Sequence, residues 1–114
     1  MSVKGGWIGV DLDGTLAHYD TWRGLYHIGF IIEEMKTFVQ MFLDKGYNVK
    51  IFTARVAPPT TPDVVKVIQD WLVENGLPRL EVTCVKDRDM IVLYDDRAVQ
   101  VVANTGRIVT FPTG

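Results

Sequence analysis

Residues 7–16, with the sequence WIGVDLDGTL, decide the predicted fold because an apolar run there ends abruptly in two aspartates. Residues 7–10 form a compact apolar segment, typical of a strand with both faces covered, and Asp11 and Asp13 follow it. Further along the chain, short apolar runs alternate with helical patterns. This alternation indicates parallel strands joined by right-handed crossovers. The sequence therefore predicts an α/β fold.

The remaining elements follow from the spacing of apolar residues. A helix is expected over residues 31–45, because its apolar side chains share one helical face and Gly46 suits a C-terminal cap. A second helix is expected over residues 61–76, which begin with a hydroxyl cap and a proline. A short helix is predicted after residue 94. Further strands are predicted at residues 48–52, 81–85, 91–94 and 107–111.

The expected architecture is a three-layer, Rossmann-like parallel sheet of about five strands with flanking helices. Residues 17–30 are aromatic and broken in pattern, so they are predicted to form a small flap after the first strand. Residues 56–61, which contain Pro58-Pro59, are expected to form a stiff loop. Residues 1–114 are expected to fold as a single domain, because a chain of this length buries one core.

Composition and charge argue against several classes of protein. The chain is 47% hydrophobic and 23% charged, with a net charge of −2, so nothing in the overall balance suggests a polynucleotide or an anionic membrane. The single cysteine, Cys84, lies in an apolar stretch and is predicted to be a core thiol. No signal peptide or apolar run of roughly 18 residues is visible. A cytoplasmic protein without a membrane partner is expected.

Polar side chains come after each of the first four predicted strands. The carboxyl ends of parallel strands form one edge of an open sheet, and ligands bind at that edge. We therefore expect four carboxylates, a hydroxyl, an ammonium and a guanidinium to meet there. In chain order these are Asp11 and Asp13, Thr53 and Arg55, Lys86, and Asp95 and Asp96.

Four carboxylates at one edge repel one another. Two unit charges about 4 Å apart repel by roughly 4 kcal/mol at an effective dielectric constant of about 20. Arg55 and Lys86 offset part of this repulsion, and a divalent cation would offset the rest. Oxygen ligands without Cys or a nearby His favour a hard ion, so Mg²⁺ is the expected cofactor. The cation and the basic side chains would then hold a phosphate group.

Each feature alone also has a purely structural explanation. The pair Asp13-Gly14 would usually be only a turn, and Thr53 could be an ordinary strand residue. Asp95 and Asp96 could cap a following helix, and Lys86 could be a solvated surface lysine. The functional interpretation depends on their combination, because all follow strands in one order.

The same residues resemble the four motifs of phosphatases of the haloacid-dehalogenase superfamily. Residues 11–16 (DLDGTL) resemble the first motif and residues 51–53 (IFT) the second. Lys86 resembles the lysine of the third motif, and residues 92–96 (VLYDD) resemble the fourth. The first motif is fairly specific. The other three are weak alone and gain weight from their order, and together the motifs span residues 7–96.

The resemblance implies a role for each residue. Asp11 would attack phosphorus and form an aspartyl-phosphate. Asp13 would protonate the leaving oxygen and then activate water, while Thr53 and Lys86 would hold the transferring phosphoryl group. The implied Mg²⁺ ligands are Asp11, Asp13 through its carbonyl, and Asp96 with Asp95. The expected substrate-binding residues are Leu12, Gly14, Arg23 and Arg55.

Two short stretches also resemble the 3′-phosphatase domains of bacteriophage polynucleotide kinases. These are residues 53–55 (TAR) and 95–97 (DDR). In those domains the second acid contacts the metal and the arginine contributes to the site. The resemblance therefore favours Asp96 over Asp95 as the direct metal ligand, and it makes Arg55 a candidate phosphate ligand.

Larger members of the superfamily carry a cap domain, whereas this chain has only the flap of residues 17–30. An open site is therefore expected, with Trp22 and Arg23 of the flap as candidate substrate contacts. Open sites suit large phosphorylated substrates or need a partner to close them. The expected partner is a phosphorylated small molecule or a nucleic-acid end, and the small domain also allows a homodimer.

Three other functions fit part of the pattern. A carbon–halogen hydrolase would leave Asp13 without a role, since only an ester needs an acid for its leaving group. A phospho-acceptor module such as a two-component receiver has its acid pair after the first strand and its lysine last, whereas here Lys86 precedes the acid pair. A phosphate-binding protein without catalysis would be expected to lack a catalytic residue, and none is missing.

Overall fold

In the computed structural model, residues 5–109 are described, and they contain four parallel strands and two α-helices. The α/β class is therefore confirmed. A short 3-10 turn, Ala54–Val56, follows the second strand. No helix in this part of the chain is long and apolar enough to cross a membrane. In chain order the elements are β1 (Trp7–Asp11), α1 (Glu33–Asp44), β2 (Asn48–Phe52), α2 (Pro62–Glu74), β3 (Glu81–Thr83) and β4 (Met90–Tyr94).

The sheet has the strand order β3-β2-β1-β4, and every pairing is parallel. Val10 in β1 lies opposite Ile51 of β2 on one side and opposite Tyr94 of β4 on the other. The chain adds β2 and β3 on one side of β1 and then returns to place β4 on the other side. The direction of winding thus reverses between β1 and β4, where open α/β sheets have their ligand crevice.

Both helices pack against the same face of the sheet. Successive side chains of a strand alternate between faces, and one apolar cluster joins Val10 of β1 to Val39 of α1 and Ile68 of α2. Two right-handed crossovers in the same direction also place both helices on one side. The other face carries Lys50 over the ring of Trp7, and neither α1 nor α2 covers it. The predicted third layer is therefore not present among residues 5–109.

The two predicted helices are confirmed to within two residues at each end. Gly46 and Gly76 follow their ends with φ angles of +88° and +83°, the left-handed backbone that ends a helix at least cost to glycine. Thr61 and Pro62 start α2 as expected. The Thr61 hydroxyl bonds to the carboxylate of Asp63, however, and does not cap a backbone amide.

The predictions for the chain after α2 were less accurate. β3 ends two residues early, because the Thr83 hydroxyl accepts the N–H of Val85 and turns the chain out of the sheet. The short helix predicted after β4 is wrong, since residues 95–109 form turns and one antiparallel bridge between Val101 and Ile108. The fifth strand is not confirmed; its last two predicted residues, 110 and 111, lie outside the described residues. Cys84 is partly buried against the core, close to the predicted placement.

Residues 17–30 form an excursion without helix or strand, as the flap prediction requires. Its base is closed by the His18 N–H, which donates to the Phe30 carbonyl at 2.8 Å. Trp71 of α2 donates its Nε1–H to the Gly29 carbonyl at 3.1 Å. A Cβ at Gly29 would lie 2.1 Å from the His18 carbonyl oxygen, so this close approach requires glycine. We call residues 17–30 the flap.

Candidate functional site

A cavity of about 490 Å³ opens at the carboxyl ends of β1, β2 and β4, beneath the flap. It lies at the point where the winding of the sheet reverses, which is where such sheets bind ligands. The sequence predicted this edge because polar residues follow the strands there. The polar side chains that line the cavity are those of Asp11, Asp13, Tyr19, Thr53, Arg55, Asp95, Asp96 and Arg97.

Three carboxylates meet between the neighbouring strands β1 and β4. Asp11, Asp95 and Asp96 each offer one oxygen, and these oxygens all lie within 4.8 Å of one another. Asp11 and Asp95 are partly buried, while Asp96 is exposed. We call these three residues the acidic triad. Asp11 is more than 80 residues from Asp95 and Asp96 in the sequence, and the parallel pairing of β1 with β4 brings them together.

The surroundings of Asp11 disfavour its charged form. Burial raises the pKa of Asp11 to about 7, and the hydrogen bond with Asp96 and the negative charges of Asp95 and Asp96 act in the same direction. The Thr15 hydroxyl opposes the shift by hydrogen bonding to the carboxylate. A cation bound between these carboxylates would favour the ionised form of Asp11.

Thr15 and Gly14 shape the acidic triad. The Thr15 hydroxyl lies 3.0 Å from Asp96 Oδ1 and 3.3 Å from Asp11 Oδ2, and it accepts the Asp96 N–H at 3.0 Å. Gly14 has a φ of +90°, and a Cβ there would lie 2.5 Å from Asp96 Oδ2. Glycine is therefore needed at position 14, both for the left-handed turn and for the close approach of the Asp96 carboxylate. No role for Thr15 was predicted from the sequence, although it lies four residues after Asp11 in the DLDGTL segment.

Asp13 forms a two-pronged ion pair with Arg55 and lies outside the acidic triad. Nε and Nη2 of Arg55 donate to the two carboxylate oxygens of Asp13, both at 2.8 Å. Nη1 of Arg55 donates to the flap carbonyls of Gly24 and Leu25 at 3.3 and 3.0 Å. Arg55 is only 7% exposed. Four of its five N–H groups are thus committed to protein acceptors.

Thr53 lies at the end of β2 with its side chain almost fully buried. Its backbone N–H donates to the Thr83 carbonyl at 2.9 Å, and its hydroxyl oxygen accepts the Arg55 N–H at 3.1 Å. This second bond starts the 3-10 turn Ala54–Val56 and directs Arg55 back towards the cavity. The hydroxyl hydrogen of Thr53 is then available for a ligand.

Three predicted site residues lie elsewhere. Lys86 is exposed and is not among the residues that line the cavity, because the chain leaves the sheet after Thr83. The Leu12 side chain is fully buried in the core, so only its backbone could meet a substrate. Arg23 pairs with Asp20 at 2.9 Å on the exposed side of the flap.

Arg97 lines the cavity, whereas Lys86, the cation expected there, does not. Its backbone N–H donates to Asp95 Oδ1 at 2.8 Å, which fixes the turn after β4. The guanidinium takes part in none of the ion pairs found within residues 5–109. The sequence analysis gave Arg97 no role, although it directly follows the acid pair.

Part of the cavity wall is apolar and aromatic. Leu25 and the rings of Tyr19, Trp22 and Phe52 contribute to it. The Trp22 ring covers the Arg55 guanidinium, with 4.9 Å between the ring centroid and Cζ. More than half of Trp22 remains exposed, so the flap offers an aromatic surface at the cavity mouth.

No family model, curated protein or solved structure matches the chain. The chemical interpretation therefore depends on the residues of the cavity and on the sequence motifs that supply them.

Proposed function

We propose that this chain is a Mg²⁺-dependent phosphomonoester hydrolase that works through an aspartyl-phosphate on Asp11. One observation carries the proposal: the cavity brings Asp11, Asp13 and Thr53 together with the acid pair after β4. Each of these residues occupies its place in the motifs of haloacid-dehalogenase-superfamily phosphatases. Membership of that superfamily, and a five-stranded sheet of its type, are part of the proposal.

The strand order supports this function over a phospho-acceptor module. The order β3-β2-β1-β4 is the beginning of the Rossmann order, with β4 beside β1. A receiver domain has the flavodoxin-like order, in which β3 lies beside β1. The acid pair after β4 therefore meets Asp11 here, which a flavodoxin-like order would not allow.

The acidic triad has the chemistry of a Mg²⁺ site. Its ligand atoms are all carboxylate oxygens, and their mutual distances of up to 4.8 Å suit a small ion after a modest inward movement. Asp13 would contribute its backbone carbonyl, because Arg55 engages both of its carboxylate oxygens. When bound, Mg²⁺ would neutralise charge on the nucleophile and on the phosphate oxygens.

In the first step a carboxylate oxygen of Asp11 attacks phosphorus, and the ester P–O bond breaks. Asp13 must take up a proton before this step, and one of its two hydrogen bonds with Arg55 opens to admit it. The leaving oxygen then takes that proton, which releases an alcohol and leaves an aspartyl-phosphate. In the second step water attacks the phosphorus and gives a proton to Asp13. The bond between Asp11 and phosphorus breaks, so inorganic phosphate and the free carboxylate are released.

Thr53 and Arg97 are the groups best placed to bind the phosphoryl oxygens. The Thr53 hydroxyl can donate one hydrogen bond, and Arg97 supplies positive charge in the cavity lining. Lys86 is given no contact with the phosphate in this arrangement. Its predicted catalytic role would require the segment after β3 to move.

The substrate is proposed to be a phosphorylated small molecule or a nucleic-acid end. The open cavity sets no tight limit on the size of the leaving group, and Trp22 and Tyr19 line its mouth. A cytoplasmic location and a homodimer remain part of the proposal.

A phosphatase screen tests the function directly. Wild type, with Mg²⁺, should release inorganic phosphate from at least one ester in a panel that includes 3′- and 5′-nucleotides and sugar phosphates. Asp11→Asn should lose activity by at least about a thousandfold, since no nucleophile remains. Asp70→Asn, which changes a partly exposed aspartate on α2 outside the cavity lining, is the matched control and should retain activity. Full activity in Asp11→Asn would refute the mechanism.

A phosphate-binding or phospho-acceptor protein is the second candidate function. The acidic triad and the available Thr53 hydroxyl hydrogen suit binding as well as hydrolysis. Binding of phosphate without release from any ester, or a phospho-aspartate that persists for hours, would favour this alternative.

A further inference from the structure

We infer that Arg55 is a positioning residue that ties the flap to Asp13, so that the order of the flap and the orientation of Asp13 depend on each other. The inference rests on the proposed role of Asp13 as acid and base. It gives Arg55 a different task from the phosphate contact that its sequence context predicted.

The hydrogen bonds between Arg55 and Asp13 fix the orientation of the Asp13 carboxylate. Two parallel N–H···O bonds of 2.8 Å hold both carboxylate oxygens in the plane of the guanidinium. A two-pronged pair of this kind fixes the rotation of the carboxylate as well as its position. The Arg55 side chain is 5% exposed and that of Asp13 is 21% exposed, so water competes weakly for these bonds.

The contacts on the flap side use the remaining prong of the same guanidinium. Nη1 donates to the consecutive carbonyls of Gly24 and Leu25, at the middle of the flap. The Trp22 ring lies over the guanidinium at 4.9 Å, a distance at which a cation and an aromatic face attract each other. The Arg55 guanidinium thus binds Asp13 along one edge and the flap along the other.

The other attachments of the flap lead away from the cavity. Trp71 holds Gly29 near the base of the flap, and the Tyr26 hydroxyl bonds to Asp63 at the start of α2 at 2.5 Å. Arg55 therefore provides the link between the middle of the flap and a cavity carboxylate. If this link is broken, the base of the flap should stay attached while residues 22–25 loosen.

Lysine cannot reproduce this arrangement. Its ammonium is a single point with three donors, so it cannot engage both Asp13 oxygens in plane and reach the carbonyls of Gly24 and Leu25 as well. Arg55→Lys keeps the charge and most of the volume and removes the geometry. Asp13→Asn removes the ion pair from the other side and leaves the guanidinium in place.

Hydrogen exchange tests the link without any substrate. In both Arg55→Lys and Asp13→Asn, the amides of residues 22–25 should exchange about tenfold or more faster than in wild type, while those of α1 and the sheet change little. Arg79→Gln, which removes an exposed arginine paired with Asp70, is the matched control and should leave the flap unchanged. Unchanged flap exchange in either test variant would overturn the inference. Asp13→Asn keeps the test decisive if Arg55→Lys folds poorly.

Kinetics separate positioning from phosphate binding. Arg55→Lys should lower kcat by about tenfold or more and leave KM and the inhibition constant of inorganic phosphate nearly unchanged. Added guanidinium should restore part of the activity of Arg55→Ala. A large rise in the phosphate inhibition constant, with kcat retained, would instead make Arg55 a phosphate ligand. If wild type hydrolyses no ester, the proposed function fails, while hydrogen exchange still decides whether Arg55 links Asp13 to the flap.

Discussion

Asp11 shows at the scale of one residue how the fold changes chemistry. The carboxylate lies at the end of a buried strand, and two further aspartates of β4's carboxyl end surround it. Its pKa is raised from 3.8 to about 7, mainly by burial. With this pKa, Asp11 is only partly ionised at neutral pH, so a bound cation would increase its ionised fraction.

This shift predicts how stability depends on pH in the absence of metal. Between about pH 4 and 7 the folded chain binds a proton at Asp11 that the unfolded chain has already lost. Stability should therefore fall as pH rises through this window. Thermal unfolding in the presence of a chelator should show a lower Tm at pH 8 than at pH 5, and Asp11→Asn should weaken this dependence.

Mg²⁺ should oppose the loss of stability at high pH, because it competes with the proton for Asp11. Adding Mg²⁺ should raise Tm more at pH 8 than at pH 5, and less in Asp11→Asn at either pH. An equal rise in Tm for wild type and Asp11→Asn would mean that the ion binds elsewhere. Asp20 and Asp63 are exposed carboxyls with lowered pKa values. Their contribution to stability should be lost only as pH falls below about 4, outside the window in which Asp11 titrates.

Gly14 gives a second prediction at the residue scale. Gly14→Ala places a Cβ 2.5 Å from the Asp96 carboxylate and also strains the backbone at φ +90°. It should cost at least ~1–2 kcal/mol of stability and weaken Mg²⁺ binding, as measured by unfolding and calorimetry. Gly106→Ala is the control, because its φ is +75° and nothing lies within 4 Å of the added Cβ. It should cost stability and leave metal binding intact.

At the scale of elements, α2 shows what apolar periodicity can predict. Val64, Ile68 and Leu72 were expected on one helical face, and all three are fully buried. Ile68→Ala should destabilise the chain by about 2–5 kcal/mol in chemical denaturation. Val73→Ala, at a position 48% exposed on the same helix, should cost less than about 1 kcal/mol. Similar losses for both variants would contradict the packing of α2.

The ends of β3 and β4 show where periodicity fails. Residues 81–85 (EVTCV) are mostly residues that favour strands, so the pattern could not reveal that a Thr83 side-chain bond ends β3 early. Lys86 consequently lies outside the cavity lining, and Arg97 after β4 lies within it. Both differences depend on hydrogen bonds between side chains and backbone in turns. No apolar pattern records such bonds.

Substituting Arg97 and Lys86 in turn tests which of the two side chains binds the phosphate. Arg97→Ala should lower kcat/KM by about ten- to a hundredfold, because a charge-assisted contact to the phosphate is lost. Lys86→Ala should have a clearly smaller effect under the same conditions. The opposite ranking would mean that the segment after β3 moves into the cavity when substrate binds.

At the scale of the whole molecule, topology explains why the site could be predicted. Residues that follow parallel strands must meet at one edge, so the convergence of Asp11, Thr53 and Asp96 follows from strand order alone. The pairing of Asp13 with Arg55 could not be predicted, because it depends on the path of the flap. The single helical layer was missed because the predicted helix after β4 is not formed.

The central claim is that Asp11 becomes covalently phosphorylated during turnover. The most direct measurement is acid quenching during turnover with Mg²⁺ and a hydrolysed ester, followed by mass spectrometry of the peptides. The account predicts a phosphate on the carboxylate of Asp11 that disappears as substrate is consumed, and none in Asp11→Asn. Turnover with no phosphorylated Asp11, or with the phosphate on another residue, would contradict it.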